Sequence, residues 1–312
     1  MKVVILCLGV LLSVGACKKT GGGGGGGGGW LVGRAGMMLN VQSNGTTSGY
    51  DTASTESLNG IACRYSGEAW VVGTHGTLLY TNDAGLSWRP QTVPTTADLR
   101  ALATQNFGPV FIAGNGVFLT STDTGAHWSS LGDGTANFRS LAAAQDGETV
   151  LAIADTGALF SYENQQLVGR GNFAGARAVA VSPDGQTAVL VGDNMISRST
   201  DAGRTWSALV VPESVRFDDV RIDENGEAVA VGSAGALAHI SAAGKVAIQR
   251  LGTVDLHSVH ISEAGEDSDS VGFAAGDPGS VWITHDGGAT WAAGPKVSEA
   301  VFGADMIGDG HR

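Results

Sequence analysis

Short apolar runs recur along the whole chain, separated by polar, glycine-rich breaks, and apolar residues almost never return at helical spacing. Runs of this length bounded by Gly, Asn, Asp and Ser read as strands joined by tight turns. Seven of them end in similar hairpins: Trp30-Leu-Val-Gly33, Trp70-Val-Val-Gly73, Phe111-Ile-Ala-Gly114, Leu151-Ala-Ile-Ala154, Leu190-Val-Gly192, Val229-Ala-Val-Gly232 and Phe273-Ala-Ala-Gly276. From one closing residue to the next the steps are 40, 41, 40, 38, 40 and 44 residues. A fixed period of this size defines a repeat architecture before any local reading. Ahead of the later six lies another strand of alternating character: Leu58–Arg64, Leu99–Thr104, Phe138–Ala143, Arg177–Val181, Phe217–Ile222 and Leu256–Ile261. A third strand follows each hairpin, as at Thr77–Tyr80, Val117–Thr120 and Ser280–Ile283, and a fourth is expected to begin at a tryptophan.

Seven units of four short strands predict an all-β fold, a seven-bladed β-propeller of four-stranded blades. The chain ends test the count. The tail Ala300–Arg312 reads as an innermost strand with no outer strands after it, and the folded segment opens at Trp30 with a second strand lacking an inner one. Setting Arg312 directly before Trp30 closes the period at 40 residues. The N- and C-terminal segments are therefore expected to pair within one blade, removing the open edge that an array of sheets would leave.

Four units carry the pattern [ST]-x-D-x-G-x-x-W: Thr81 to Trp88, Ser121 to Trp128, Ser199 to Trp206 and Thr284 to Trp291. Its carboxylates are Asp83, Asp123, Asp201 and Asp286. Each Asp is expected to accept backbone N–H bonds inside a turn, the Gly to supply positive φ, and Trp88, Trp128, Trp206 and Trp291 to anchor the turn in a core. Three units lack the pattern, so it is expected to serve the scaffold and to be neither catalytic nor metal-binding.

The front of the chain has a different character. Residues 1–16 read as a secretory signal, with Lys2 followed by an apolar run too short to span a bilayer. Val14-Gly-Ala-Cys17 resembles a bacterial lipobox, which implies cleavage before Cys17 and a diacylglycerol on its thiol. Residues 17–29, ending in nine glycines, would be a flexible tether of roughly 20 Å. The propeller domain is then 30–312, lipid-anchored in the cell envelope and facing periplasm or exterior. Cys63 would be the one cysteine left able to pair, so no intrachain disulfide is expected.

The 312 residues include 49 glycines and carry a net charge of −12, with 15% charged residues. No basic stripe exists, which argues against nucleic-acid binding. No cofactor or metal is expected, and a monomer is.

The order apolar strand, Gly-x-x-Gly, strand, Asp turn, Trp resembles the photosystem II stability and assembly factor family, seven-bladed propellers that act as assembly chaperones. The stretches Trp70 to Trp88 and Gly276 to Trp291 carry the likeness best. The Asp turn, known as the Asp box, is shared with bacterial neuraminidase-repeat hydrolases, sialidases and some glucanases. The first resemblance implies a non-catalytic module that binds a protein or peptide. The second implies a glycoside hydrolase.

Propeller ligands usually sit at the channel mouth, on the face opposite the Asp turns. Residues expected there include Arg34, His75, Asn115, Asp155, Asp193, Asn194 and Asp277. At one equivalent inner-strand position the blades carry Asn59, Arg100, Arg139, Arg177, Asp218, His257 and Phe302. Three consecutive arginines suggest a positive patch for carboxylates or an acidic peptide. The assembly-factor resemblance likewise implies an arginine patch at these positions. The competing expectation pairs each Arg with a turn carboxylate such as Asp98 or Asp184. The candidate binding residues are thus Arg100, Arg139, Arg177, His75, His257 and Asp193. A sialidase would need a Tyr–Glu nucleophile pair, yet Tyr80 lies on the wrong face and no Arg-Ile-Pro segment occurs. Asp155 and Asp193 make the best two-carboxylate pair for another glycosidase.

Overall fold

The computed structural model describes residues 28–52, 54–64, 67–145, 148–262 and 271–306. They form seven antiparallel sheets of four strands each, a seven-bladed β-propeller with three single-turn 3₁₀ segments and no longer helix. No helix among them is long and apolar enough to cross a membrane. The signal segment, Cys17 and most of the glycine tether lie outside the described residues.

Blades 2–7 start at their innermost strands, Leu58–Cys63, Leu99–Thr104, Phe138–Ala143, Ala176–Val181, Phe217–Ile222 and Leu256–Ile261. These fall within a residue of the sequence reading. The second strands, such as Ala69–Gly73 and Ala188–Gly192, are buried at every position. The reason is their place between two neighbours. Trp70 and Val72 pack toward blade 3, while Val71 packs toward blade 1. Alternate side chains thus enter opposite interfaces, and a continuous apolar run results where a one-sided sheet would alternate. The hydrophobic core is accordingly divided into seven clusters, one at each interface between blades.

Blade 1 is made from both ends of the described chain. Val301–Met306 is its innermost strand and pairs antiparallel with Gly28–Gly33, followed outward by Met38–Gln42 and Thr47–Gly49. Leu31, Val41, Val301 and Ala304 share a cluster with Phe273, Ala275 and Ile283 of blade 7. Asp305 fastens this strand on both sides. Its Oδ2 accepts the Cys63 backbone N–H of blade 2 at 2.8 Å. Its Oδ1 lies 2.8 Å from His260 Nδ1 of blade 7. Burial alone would raise the Asp305 carboxyl, but His260, Arg221 and the Cys63 N–H together hold it below its ordinary value.

The four Asp turns share one geometry. The carboxylate accepts the N–H four residues on, at 2.8–2.9 Å, from Ser87, His127, Thr205 and Thr290. The leading Thr or Ser hydroxyl donates to the same carboxylate and accepts the N–H of the glycine, as in Thr284 to Asp286 and Gly288 to Thr284. The glycines at 85, 125, 203 and 288 all have positive φ. Two details differ from the sequence reading. Outer strands begin one residue after the tryptophan, at Arg89, Ser129, Ser207 and Ala292. The tryptophans are half-buried, because each turn leans on the blade before it: Gly85 lies against Trp30 and Gly203 against Leu151. Trp88 meets Trp30 edge-on, with centroids 5.7 Å apart. Blades with an Asp turn have outer strands of two residues, whereas blades 4 and 6 extend theirs to Gln166–Asn172 and Val246–Arg250. Ladder hydrogen bonds there replace the staple.

Two outcomes follow from the closure. A chain ending at Lys296 lacks the innermost strand of blade 1, and calorimetry should show the sharp melting transition replaced by a broad one. Asp305→Asn should lower stability at pH 7 by about 2 kcal/mol, the order of a hydrogen bond to a buried charged group. Because the folded carboxyl titrates lower than the unfolded one, this contribution is present above the unfolded value and fades as pH falls through the folded one. Denaturant melts of both proteins should therefore converge in acid.

Candidate functional site

Every blade breaks its register at the same place. The ladder between the first two strands skips one residue, which stands as a bulge: Asn59, Arg100, Arg139, Arg177, Asp218, His257 and, in blade 1, Phe302. A bulged residue leaves the ladder and is re-aimed. Here the preceding residue, such as Leu58, Leu99 or Phe217, is fully buried, and the bulged one faces the channel. All seven line a single cavity of about 670 Å³ at the channel mouth, joined by Thr74, Asp98, Asn115, Asn137 and Asp155.

The arginines and carboxylates of this ring pair across blades. Arg100 Nη1 donates to Asp155 Oδ2 at 2.6 Å, from blade 3 to blade 4. Arg177 Nε donates to Asp218 Oδ1 at 2.7 Å, from blade 5 to blade 6. Arg216, just ahead of the blade 6 inner strand, donates to Asp218 Oδ2 at 3.1 Å and to Asp255 Oδ2 at 2.5 Å. His257 touches Asp277 through Nε2 at 3.0 Å and Asp218 through Nδ1 at 3.8 Å, and its ring tilts against Phe302. Burial works against the Asp218 anion, yet His257, Arg177 and Arg216 pull its carboxyl down to about 2. It stays ionised at any ordinary pH.

Arg139 breaks this pattern. Its nearest carboxylate among the described residues is Asp155, with Nε to Oδ1 at 4.0 Å, and Asp155 is already committed to Arg100. Burial lowers the Arg139 guanidinium from its ordinary value, Arg177 lowers it further, Asp155 opposes, and Arg100 adds to the lowering. Two like charges on adjacent blades, with no carboxylate hydrogen-bonded between them, make the one stretch of the ring where an added anion would be attracted from both sides.

The six candidates from the sequence separate into two groups. Arg100, Arg139, Arg177 and His257 line the cavity. His75 and Asp193 stand outside its lining. His75 is exposed in the loop between the second and third strands of blade 2, where its Nδ1 meets Glu56 at 2.6 Å. Asp193 lies 4.0 Å from Arg177 and is half exposed. Arg100 pairs with a turn carboxylate, Asp155, but Arg177 pairs with Asp218 of an inner strand, and neither Asp98 nor Asp184 is a partner of these arginines. Asp98 accepts the His75 backbone N–H instead, and Asp184 accepts the Ser182 hydroxyl and the Gln186 N–H inside its own turn. Asp155, offered as half of a glycosidase pair, is the salt-bridge partner of Arg100. Arg216 and Asp255 were missed. Their signal was available in part, since both sit at the blade entrance where a residue reaches its neighbour about forty positions away. Among the described residues no three His, Cys, Asp or Glu side chains converge as a metal site.

No family model matches the sequence, and no curated protein matches it. Among solved structures the chain is similar to YCF48 from Cyanidioschyzon merolae, with a TM-score of 0.61 and 18% identity over 78% of this chain and 87% of that one. It is similar to YCF48 bound to D1 peptide, with a TM-score of 0.58 and 20% identity over 76% and 80%. It is also similar to the WD40 repeats of RRP9, with a TM-score of 0.64 and 10% identity over 80% and 83%. At these identities the likeness is one of fold.

Replacing the hub of the ring gives a direct check on its ion pairs. Asp218→Asn should cost about 2 kcal/mol at pH 7, the order of a charge-assisted hydrogen bond. The folded carboxyl titrates near 2, against 3.8 for a free one, so the loss should shrink as pH falls through that window. Equilibrium unfolding between pH 2 and pH 7 reads it.

Proposed function

We propose that this propeller is a non-catalytic binding module whose channel mouth takes a protein or peptide through a carboxylate. The observation that carries the reading is Arg139, held beside Arg177 and Arg100 with its nearest carboxylate at 4.0 Å and already used. A ligand carboxylate placed there would supply the missing hydrogen-bond acceptor and relieve the repulsion between the two guanidinium groups. Arg100, Arg177 and Arg216 each already donate to a carboxylate of the ring, while Asp98 accepts N–H groups from the His75 backbone and the Asn115 amide. A propeller of similar fold, YCF48, is known bound to D1 peptide, which supports a peptide as the ligand class. An assembly-factor-like role would follow from such capture. With Cys17 acylated and the glycine segment as a tether, the mouth would work close to a membrane in the cell envelope, as a monomer.

Calorimetric titration with short peptides rich in Asp and Glu, each with an amidated, uncharged control, tests this. The acidic peptides should bind and the controls should not. Arg139→Ala should weaken binding at least tenfold, equivalent to about 1.4 kcal/mol, with an unchanged melting curve. Equal affinity for acidic and neutral peptides would overturn the reading. Release of dye from aryl glycosides by the purified domain would replace it with a hydrolase.

A further inference from the structure

Arg177, the second cation of the proposed seat, is not free to serve it. Its Nε is bonded to Asp218, and Asp218 is shared. Oδ1 takes Arg177 at 2.7 Å, while Oδ2 takes Arg216 and faces His257 Nδ1 at 3.8 Å. One carboxylate therefore stands between a cation of the binding arc on one neighbouring blade and an imidazole on the other. His257 is faced by carboxylates on several sides: Asp218 from the inner strand of blade 6, Asp277 from its own blade, and Asp255 at its blade entrance, itself bonded to Arg216. Phe302 of blade 1 packs against its ring, with centroids 6.2 Å apart.

We propose that His257 couples proton uptake to anion binding at the channel mouth, the imidazolium taking over Asp218 and releasing Arg177 toward the bound carboxylate. The inference rests on the anion-binding reading above and adds its regulation. With His257 neutral, Asp218 has two cationic partners, and Arg177 is needed by it. With His257 charged, the same carboxylate has three, and the mouth gains a positive charge in the ring where the ligand's negative charge arrives. Coupling of this kind is reciprocal, so the bound anion must also favour the protonated imidazole. Contact with Asp218 raises the His257 imidazole above its ordinary value, burial lowers it, and Asp277 adds to the rise. The change of charge thus falls above the ordinary imidazole value.

The experiment titrates an Asp- and Glu-rich peptide against the whole domain from pH 6 to pH 9. Affinity for wild type should fall about five- to tenfold across that range, the usual size of a coupling between two sites. His257→Gln, confirmed folded by its melting curve, should bind with a flat profile near the high-pH affinity. Asp277→Asn should move the step to lower pH, and it serves as the second probe if His257→Gln fails to fold. Imidazole resonances followed by NMR should place the His257 titration higher with peptide than without. Binding that needs Arg139 but is independent of pH, or that keeps its step in His257→Gln, overturns the coupling and leaves the binding reading standing. Absence of acidic-peptide binding at every pH overturns both.

Discussion

Closure of the ring without a covalent link is the constraint on which this structure depends. Each interface between blades holds its own hydrophobic cluster, and among the described residues no central core exists to which an isolated blade could retreat. Loss of blade 1 would expose two buried faces at once, those of blades 7 and 2 that pack against it. The innermost strand of blade 1 prevents this, and it comes from the far end of the described chain. Its carboxylate at Asp305 touches both neighbours, one through a backbone N–H and one through an imidazole. Apolar contact holds the strand, while this polar fastening fixes its register, since a slip by one residue would carry the carboxylate away from both partners.

Closure also creates the site. Seven inner strands crowd around one axis, and each relieves the crowding with a bulge at the same level. The bulged residue has no ladder duty and little core to fill, so its identity is free of the packing rules that govern its neighbours. The residue before it is always apolar and buried; the bulged one is Asn, Arg, Arg, Arg, Asp, His or Phe in turn. The scaffold is repeated and the mouth is not. Such a division is expected where structure and recognition are separated by side-chain direction within one strand.

The sequence carried the scaffold because its signals are local. A forty-residue period, the Gly hairpins and the Asp turns each depend on a few neighbouring residues, and the closing strand followed from counting. The bulge left no local mark, since Leu58-Asn59-Gly60 and Phe217-Asp218-Asp219 share no motif that announces an unpaired residue. Ion pairing was harder still. Arg100 meets Asp155 across 55 positions, and Arg177 meets Asp218 across 41. Choosing Asp155 over Asp98 for Arg100 requires knowing which way each loop leans between blades. The half-burial of Trp88 and Trp206 was hidden for the same reason. A turn that packs on the preceding blade is secured by residues such as Trp30 and Leu151, outside its own motif.

The charge state of the mouth also bears on which chemistry it suits. A glycosidase acid must carry its proton until the bond breaks, and proteins arrange this by burying a carboxyl or placing a second carboxylate beside it. Asp218 is surrounded by the reverse arrangement. Burial acts to raise it, yet two guanidinium groups and an imidazole bring it to about 2, so at neutral pH it holds no proton to give. It is instead a fixed negative charge that orders the cations around it. Asp155 accepts Arg100 on Oδ2, and its Oδ1 lies 4.0 Å from Arg139. A ring built this way holds Arg100 and Arg177 in fixed orientations through their salt bridges. The salt bridges that occupy Asp155 and Asp218 leave Arg139 as the arginine of the ring without a hydrogen-bonded carboxylate.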